Sequence, residues 1–405
     1  MRDRQERQIM TTKKKSCVII VENLPLPFDR RVWQEANALK EAGWQVSVIC
    51  PRTEKCPERY VEINGIHIYR HPLPLEAEGK LGFLLEYATA LFYEFLLLVK
   101  IYFKHGFTVI QACNPPDLIF LVALPFKLIG KKFLFDHHDI CPELFAVKFG
   151  RKGLLHKAML FFEKMTYWSA DLVITANDTF RNLAIERTGK APEKIISVYS
   201  VPDHKNMHRT VPRTDLHQDK RLLVGYVGII GNQDGVDHLV RALAHLKFNR
   251  GIPDVRAVVI GDGPDLESVK TLAVTLGISQ DITFAGYLTG QALMETLSAV
   301  DIGVIPDPSN EYNDKISMNK VFEYTTLGIP VVCYPLTETL RLLGESAQVA
   351  PSCEPEGLAQ AIEALREDDH RQAMAQKALA RANSTFSWEQ EKIKYVGAFD
   401  FLVQS

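Results

Sequence analysis

Short apolar runs separated by amphipathic stretches recur along most of the chain. Residues 16–21 form a compact apolar run suited to a buried strand. A loop with Pro25 and Pro27 follows, with Asp29 placed to cap a helix and Gly43 placed to end it. Residues 46–50 read as the next strand, stopping at Pro51, and the runs 60–63 and 66–69 flank Asn64-Gly65, a two-residue hairpin turn. A long apolar stretch over 81–103 precedes strands at 109–113 and 132–136, with a helix begun near Pro116 between them. A helix over 154–168, a strand over 171–176 and a helix over 178–187 complete the first half. Residues 202–220 lack an apolar period and carry His204, His208, His217 and Pro212, so a solvated linker is expected there. Three histidines without carboxylate or thiol partners are a poor metal site. Alternation then restarts, with strands at 222–227, 255–260, 282–284, 302–305 and 330–334. The helices between them begin at Val236 and cover 266–276, 291–299 and 319–326.

Such alternation implies parallel sheets covered on both faces, and 405 residues exceed what one core usually serves. The expected class is α/β, with two doubly wound Rossmann-like domains facing an interdomain cleft and ligands outside the carboxyl ends of the strands. The expected division is a tail over 1–15, an N-terminal acceptor-binding domain over 16–205 and a linker over 206–220. A C-terminal nucleotide-sugar-binding domain over 221–385 and a final helix over 386–405, crossing back to the first domain, complete it. A net charge of -2 removes any bulk attraction to nucleic acid. Seven cysteines without a C-x-x-C pair fit reduced thiols in a cytoplasmic protein, and the basic start before a short apolar run is no secretory signal. The stretch 81–103 has the length of a membrane span, but Glu86, Glu94 and Lys100 interrupt it. A mostly buried helix is the plainer reading, and a face resting on the inner surface of a membrane is the alternative.

Four segments carry candidate chemistry. GIIGNQDG over 228–235 follows a strand and opens a helix, where glycines let amides approach an anion, although the spacing is not G-x-G-x-x-G. In the stretch 313–332, Ser317, Met318 and Asn319 can present amides at a helix start, and Lys315 and Lys320 can supply positive charge to a diphosphate. Glu323, on the first turn of that helix, can accept two hydrogen bonds from a ribose diol. FDHHDICPELF over 135–145 places His138 to orient a sugar hydroxyl or shuttle a proton, with Asp136 and Asp139 to hold its ring. Two His and two Asp also resemble half a metal site, but nothing obvious completes it, and no metal is expected. LPLPFDRRVWQEA over 24–36 offers Asp29, Arg30 and Arg31 at a helix start for an anionic acceptor or a lipid phosphate. Each segment also has a structural reading as a turn, a solvated helix residue or a helix cap.

Taken together the chain resembles a family-four retaining glycosyltransferase of the GT-B fold. PFDRRVWQEANALKEAGWQVSVICP, DHHDICPE, VIGDGP, FAGYLTGQALMETLSAVDIGVIP and KVFEYTTLGIPVV follow in the family's order, and the nearest likeness is to enzymes of capsule, O-antigen and exopolysaccharide synthesis. The resemblance implies that Glu323, the second glutamate of the family's E-x7-E pattern, contacts the donor ribose. It implies that residues 317–319 meet the donor phosphates, that Gly286-Tyr287 lie beside the nucleobase, and that His138, with Asp139, serves the transferred sugar. Gly228, Gly231, Asn232 and Gly261 join the donor set on the same likeness, and Phe386-Ser387-Trp388 matches the start of the last helix.

The departures from the family are specific. Lys315 stands where many relatives carry the first glutamate, and a cation cannot accept hydrogen bonds from donor-sugar hydroxyls. Ile229 and Gln233 stand near places where the family often has Arg and Lys, so Lys315 and Lys320 are expected to supply that charge. Pro-Leu-Pro-Phe replaces the usual glycine pair of the N-terminal loop. The implied reaction needs no cofactor beyond a nucleotide-diphosphate sugar and moves its sugar to a glycan or lipid-linked acceptor. The competing expectations are a nucleotide-sugar 2-epimerase and a non-catalytic nucleotide-sugar-binding partner of another transferase.

Overall fold

The computed structural model describes residues 15–72, 79–150, 153–217 and 221–404. Most of the expected tail, together with 218–220 of the expected linker, lies outside the described residues. The chain divides into two compact units. The first holds residues up to Pro142, Arg151–Val198 and Lys392–Ser405; the second holds Glu143–Gly150 and Tyr199–Glu391.

In the first unit the elements run β1 (Ser16–Ile20), α1 (Arg30–Glu41), β2 (Gln45–Arg52), β3 (Tyr60–Ile63), β4 (Ile66–Pro72), α2 (Gly79–Lys104) and β5 (Val109–Cys113). They continue with α3 (Phe120–Leu128), β6 (Lys132–His137), α4 (Cys141–Phe149), α5 (Leu154–Ser169), β7 (Leu172–Thr175), α6 (Asp178–Thr188) and β8 (Ile195–Ser197). The sheet order is β3-β4-β2-β1-β5-β6-β7-β8, parallel except for the β3–β4 hairpin. Asn64 and Gly65 both take positive φ in that hairpin, as the tight turn requires. Strand β2 runs on through Pro51. Its pairing with β1 ends at Ile49, and Pro51 pairs only with His71 of β4, so the missing N–H interrupts no ladder on the other side. Helix α3 starts four residues later than Pro116 suggests, after a turn in which the Ile119 amide bonds the Pro116 carbonyl.

Helix α2 answers the membrane question in part. Ala90, Glu94, Leu98 and Ile101 are buried at helical spacing, while Phe92, Leu96 and Phe103 are exposed. Among the described residues no helix is long and apolar enough to cross a membrane.

The second unit continues with β9 (Leu222–Val227), α7 (Val236–Ala244), β10 (Val255–Ile260), α8 (Leu266–Thr275), β11 (Ile282–Gly286), α9 (Gly290–Ser298) and β12 (Ile302–Ile305). Then come α10 (Asn319–Thr326), β13 (Val331–Cys333), α11 (Thr337–Leu343), β14 (Ala347–Val349), α12 (Pro355–Ala364), α13 (Asp368–Ser384) and α14 (Trp388–Gln404), whose last part belongs to the first unit. The order β11-β10-β9-β12-β13-β14 is parallel throughout and reverses beside β9, a doubly wound sheet with its loops gathered at the carboxyl edge. Residues 202–217 differ from a solvated linker. Met207 and Leu216 are buried in this unit's core, and the Arg209 guanidinium donates to the carbonyls of Leu327, Ser298 and Gly328.

Candidate functional site

In the first unit, chemistry collects past the ends of β5 and β6. Successive side chains of a strand point to opposite faces, and the His137-His138 pair separates accordingly. His137 is buried against Tyr167, whose hydroxyl lies 2.8 Å from Nδ1, and burial beside Arg187 pulls its pKa down to about 3. His138 turns the other way, with Nε2 2.9 Å from the Asp136 carboxylate. Burial disfavours the imidazolium, but Asp136 outweighs it and the His138 pKa is raised. Asp136 also accepts from Arg31 at 3.0 Å and Gln111 at 2.8 Å. Although buried, it is held below its ordinary value by Arg31 and His138. Asn114 fixes the turn itself: its side-chain oxygen accepts from the amides of His138 and Asp139, and its side-chain amide donates to the Asp139 carbonyl.

Arg31 corrects the expectation of an acceptor-facing cation. Its guanidinium is committed to Asp136, to Glu35 at 3.0 Å and to the Val198 carbonyl at 3.0 Å, all within the fold. Glu35 is pushed up to about 8 by burial and by Asp136. Asp29 caps α1 through the Val32 amide at 2.9 Å, and Arg30 beside it is half-buried. Cys113, Asp136 and His138 do bring possible metal-ligand atoms within 4.8 Å of one another. The Arg31 charge on the same carboxylate opposes a second cation there.

In the second unit, the turn 228–235 leaves β9 and Gly261 leaves β10 at the same edge. A Cβ on Gly261 would stand 1.8 Å from the Gly228 carbonyl oxygen, so only glycine lets these backbones meet. Gly231 donates its amide to the Asp234 carboxylate at 3.1 Å, while Asn232 is exposed. The β10 turn is tied to β11 by the Gly261 amide on the Gly286 carbonyl, with Tyr287 exposed beyond it. Asn313 donates from its side chain to the Gln233 carbonyl and the Pro308 carbonyl, both at 2.8 Å, which joins the 228–235 turn to the loop leading into α10.

Helix α10 begins after Met318, whose side chain makes no capping bond; Ser317 donates instead to Glu338 at 3.1 Å. Glu323 is the fifth residue of α10, past the first turn, and it is buried. Lys320 is buried too, and its ammonium is already paired: Asp307 lies at 2.7 Å and 3.0 Å, and the Tyr226 ring centroid at 4.6 Å. Burial raises the Asp307 pKa despite Lys320, and burial likewise lifts Asp234 to about 6 against the pull of Lys320. Lys315 is more open, 3.7 Å from both Glu143 and Glu311. The sequence reading had missed Asp307, Asp234, Asn313 and Glu338; Asp307 carries the one visible signal, a lone acid between prolines directly after an apolar strand.

Two family models match, one described as glycosyl transferase 4-like domain over residues 29–199 and one as glycosyl transferases group 1 over 221–368. Alpha-D-kanosaminyltransferase of Streptomyces kanamyceticus is 28% identical over 163 residues, 40% of this chain and 40% of its own length. The match thus spans less than half of that relative. Sucrose-phosphate synthase from Thermosynechococcus elongatus superposes with a TM-score of 0.78 at 17% identity, covering 96% of this chain and 100% of that one. Anabaena HepE, solved in complex with UDP-glucose, gives 0.71 at 16% identity over 95% and 99%. With both units matched by family models in the expected order, and the same two-unit fold in the solved neighbours, the chain belongs to the family-four glycosyltransferases of the GT-B fold.

Proposed function

We propose that the protein is a retaining glycosyltransferase that moves a sugar from a nucleotide-diphosphate sugar to a glycan or lipid-linked acceptor in surface-polysaccharide synthesis. In that transfer the bond from the anomeric carbon to the diphosphate breaks and the acceptor oxygen bonds that carbon on the same face. The acceptor loses its hydroxyl proton and the nucleoside diphosphate departs. The observation that carries the reading is the carboxyl edge of the second unit. There two glycine turns meet backbone to backbone, and a loop pinned by Asn313 leads to an α10 start that no side chain caps. Glu323 is the ribose ligand in this reading, and His138, with a raised pKa and fixed by Asp136, is the group that serves the transferred sugar. UDP-glucose in the HepE complex supports a nucleotide-sugar donor.

Glu323→Ala is expected to lower kcat/KM for the donor roughly ten- to a hundredfold, through loss of charged hydrogen bonds of about 1.5–3 kcal/mol. Donor-limited turnover assays check it. A folded variant with undiminished transfer removes Glu323 from the site.

The place of work in this reading is the cytoplasmic face of a membrane. Helices α2, α3 and α5 pack side by side and leave Phe103, Leu128 and Trp168 at 82%, 84% and 72% exposure, with Lys104 and Lys127 adjacent to the first two in sequence. Apolar tips among lysines suit an anionic bilayer surface. Co-sedimentation with vesicles containing anionic lipid should fall several-fold for Phe103→Ser/Trp168→Ser; unchanged sedimentation refutes the contact.

A further inference from the structure

The first unit holds another buried cluster that shares no residue with the His138 network. Glu22 lies just beyond β1, His71 near the end of β4 and Glu94 in the middle of α2. One ligand-type atom from each lies within 4.8 Å of the others. Glu22 Oε1 is 2.7 Å from His71 Nε2, and His71 Nδ1 is 3.1 Å from the Pro72 carbonyl oxygen. With Nδ1 facing that carbonyl, Nε2 is turned toward the carboxylates, the orientation usual for a metal-bound histidine.

Glu94 supplies the independent observation. Its side chain is 0% exposed, and among the described residues no hydrogen-bond donor meets either carboxylate oxygen, with the Glu22 carboxylate beside it. A buried carboxylate without donors is costly, so the site calls for a proton or a cation. The nearest arginine in sequence does not meet this need, because Arg70 points to Glu58 and the Leu26 carbonyl. One proton would satisfy one oxygen, whereas one divalent ion would take a ligand atom from all three residues. The Cys113, Asp136 and His138 group differs at this point, since Arg31 and Gln111 already neutralise and satisfy its carboxylate.

We propose that Glu22, His71 and Glu94 bind one divalent ion of the zinc class, tying the segment after β1 to β4 and α2. Two carboxylates and an imidazole are ligands such an ion accepts, and the imidazole selects it over magnesium or calcium. Ligand atoms around tetrahedral zinc stand about 3.3 Å apart, so Glu22 and His71 need to separate only slightly. Its role is structural, and it carries no step of the transfer.

The test uses the full chain after dialysis against EDTA. Calorimetric titration with zinc chloride should give one equivalent of tight sites, with magnesium giving none. Glu94→Gln and His71→Gln should each weaken that site by roughly thirtyfold or more. Zinc should raise the thermal midpoint of the native chain by several degrees and leave both variants unmoved. His71→Gln serves as the readout if Glu94→Gln does not fold. Absence of a zinc equivalent, or equal binding by native chain and variants, overturns the proposal. So does Glu94→Gln matching the native midpoint in EDTA while zinc shifts neither, for Glu94 is then held by its own proton.

Discussion

Each unit buries an ion network at the carboxyl edge of its sheet, and the two are built differently. The first joins Arg31, Glu35, Asp136 and His138, with Gln111 donating to both acids. The second is essentially one pair, Lys320 with Asp307, flanked by Tyr226 and Asp234. Arg31 cannot give up its proton, so Asp136 is held ionised, and Asp136 holds His138 toward its protonated form against burial and the Arg31 charge. The Lys320 charge is balanced by Asp307 before any anion arrives. The first network therefore conditions a proton-carrying group, while the second anchors α10 to the end of β12. A diphosphate beside α10 would meet backbone amides and a neutralised lysine, not a free positive charge.

The largest effect expected from breaking this contrast is in Asp136→Asn, which leaves Arg31 with Glu35 as its remaining carboxylate and removes the carboxylate beside His138. It should cost about 3–5 kcal/mol in urea unfolding. Asp307→Asn should cost less, about 2–3 kcal/mol, because it unpairs one buried cation where Asp136→Asn disturbs two. Adding Lys320→Met to Asp307→Asn should recover most of that loss, since no buried charge then remains. Equal losses for the two single variants, or no recovery in the double, would erase the distinction between the networks.

The networks should also separate along the pH axis. The His138 pKa is raised above its ordinary 6.5, so its contribution is complete below 6.5 and is lost as pH rises through the folded value. Glu35, about 8 in the fold against 4.5 ordinarily, also holds its proton more tightly when folded and loses stability as pH rises between those values. Asp234 moves from 3.8 to about 6 and acts in the same direction, but lower. Urea midpoints should therefore fall with pH in both windows. Glu35→Gln should flatten the decline from 4.5 up to 8, and Asp234→Asn only the part below 6; an Asp234→Asn effect that extends to 8, or a Glu35→Gln effect that ends at 6, would reassign both groups.

How far the sequence revealed these networks differs as well. Strands β9, β10 and β12 and helix α10 are legible to the residue, because a parallel strand buried on both faces is one continuous apolar run. The three-residue strands β8 and β14 are too short to carry a pattern, and Arg209 docks residues 202–217 on the second unit through backbone carbonyls, which leaves no periodic trace. At the site, His138 was legible from its place at the end of a strand. Its control by Arg31 was not, since the two meet at Asp136, which lies 105 residues from Arg31. Asp307 stands between two prolines with no pattern to mark it as buried, and its place beneath Lys320 depends on the loop Asn313 holds.

The two lysines of the α10 segment sharpen the comparison at its weakest end. Lys315 is about a quarter exposed and reaches Glu143 and Glu311 only at 3.7 Å, whereas Lys320 is 7% exposed and touches Asp307 at 2.7 Å. Long ion pairs near solvent contribute little, because water screens them and the side chains keep much of their freedom. Lys315→Gln should therefore change stability by no more than about 0.5 kcal/mol, within reach of paired urea titrations. In the function proposed above its effect should fall on transfer, because the family resemblance sets this position beside the donor sugar. A loss of 2 kcal/mol or more would mean that Lys315 is a structural partner like Lys320, and the contrast between a buried lysine and a partly exposed one would fail.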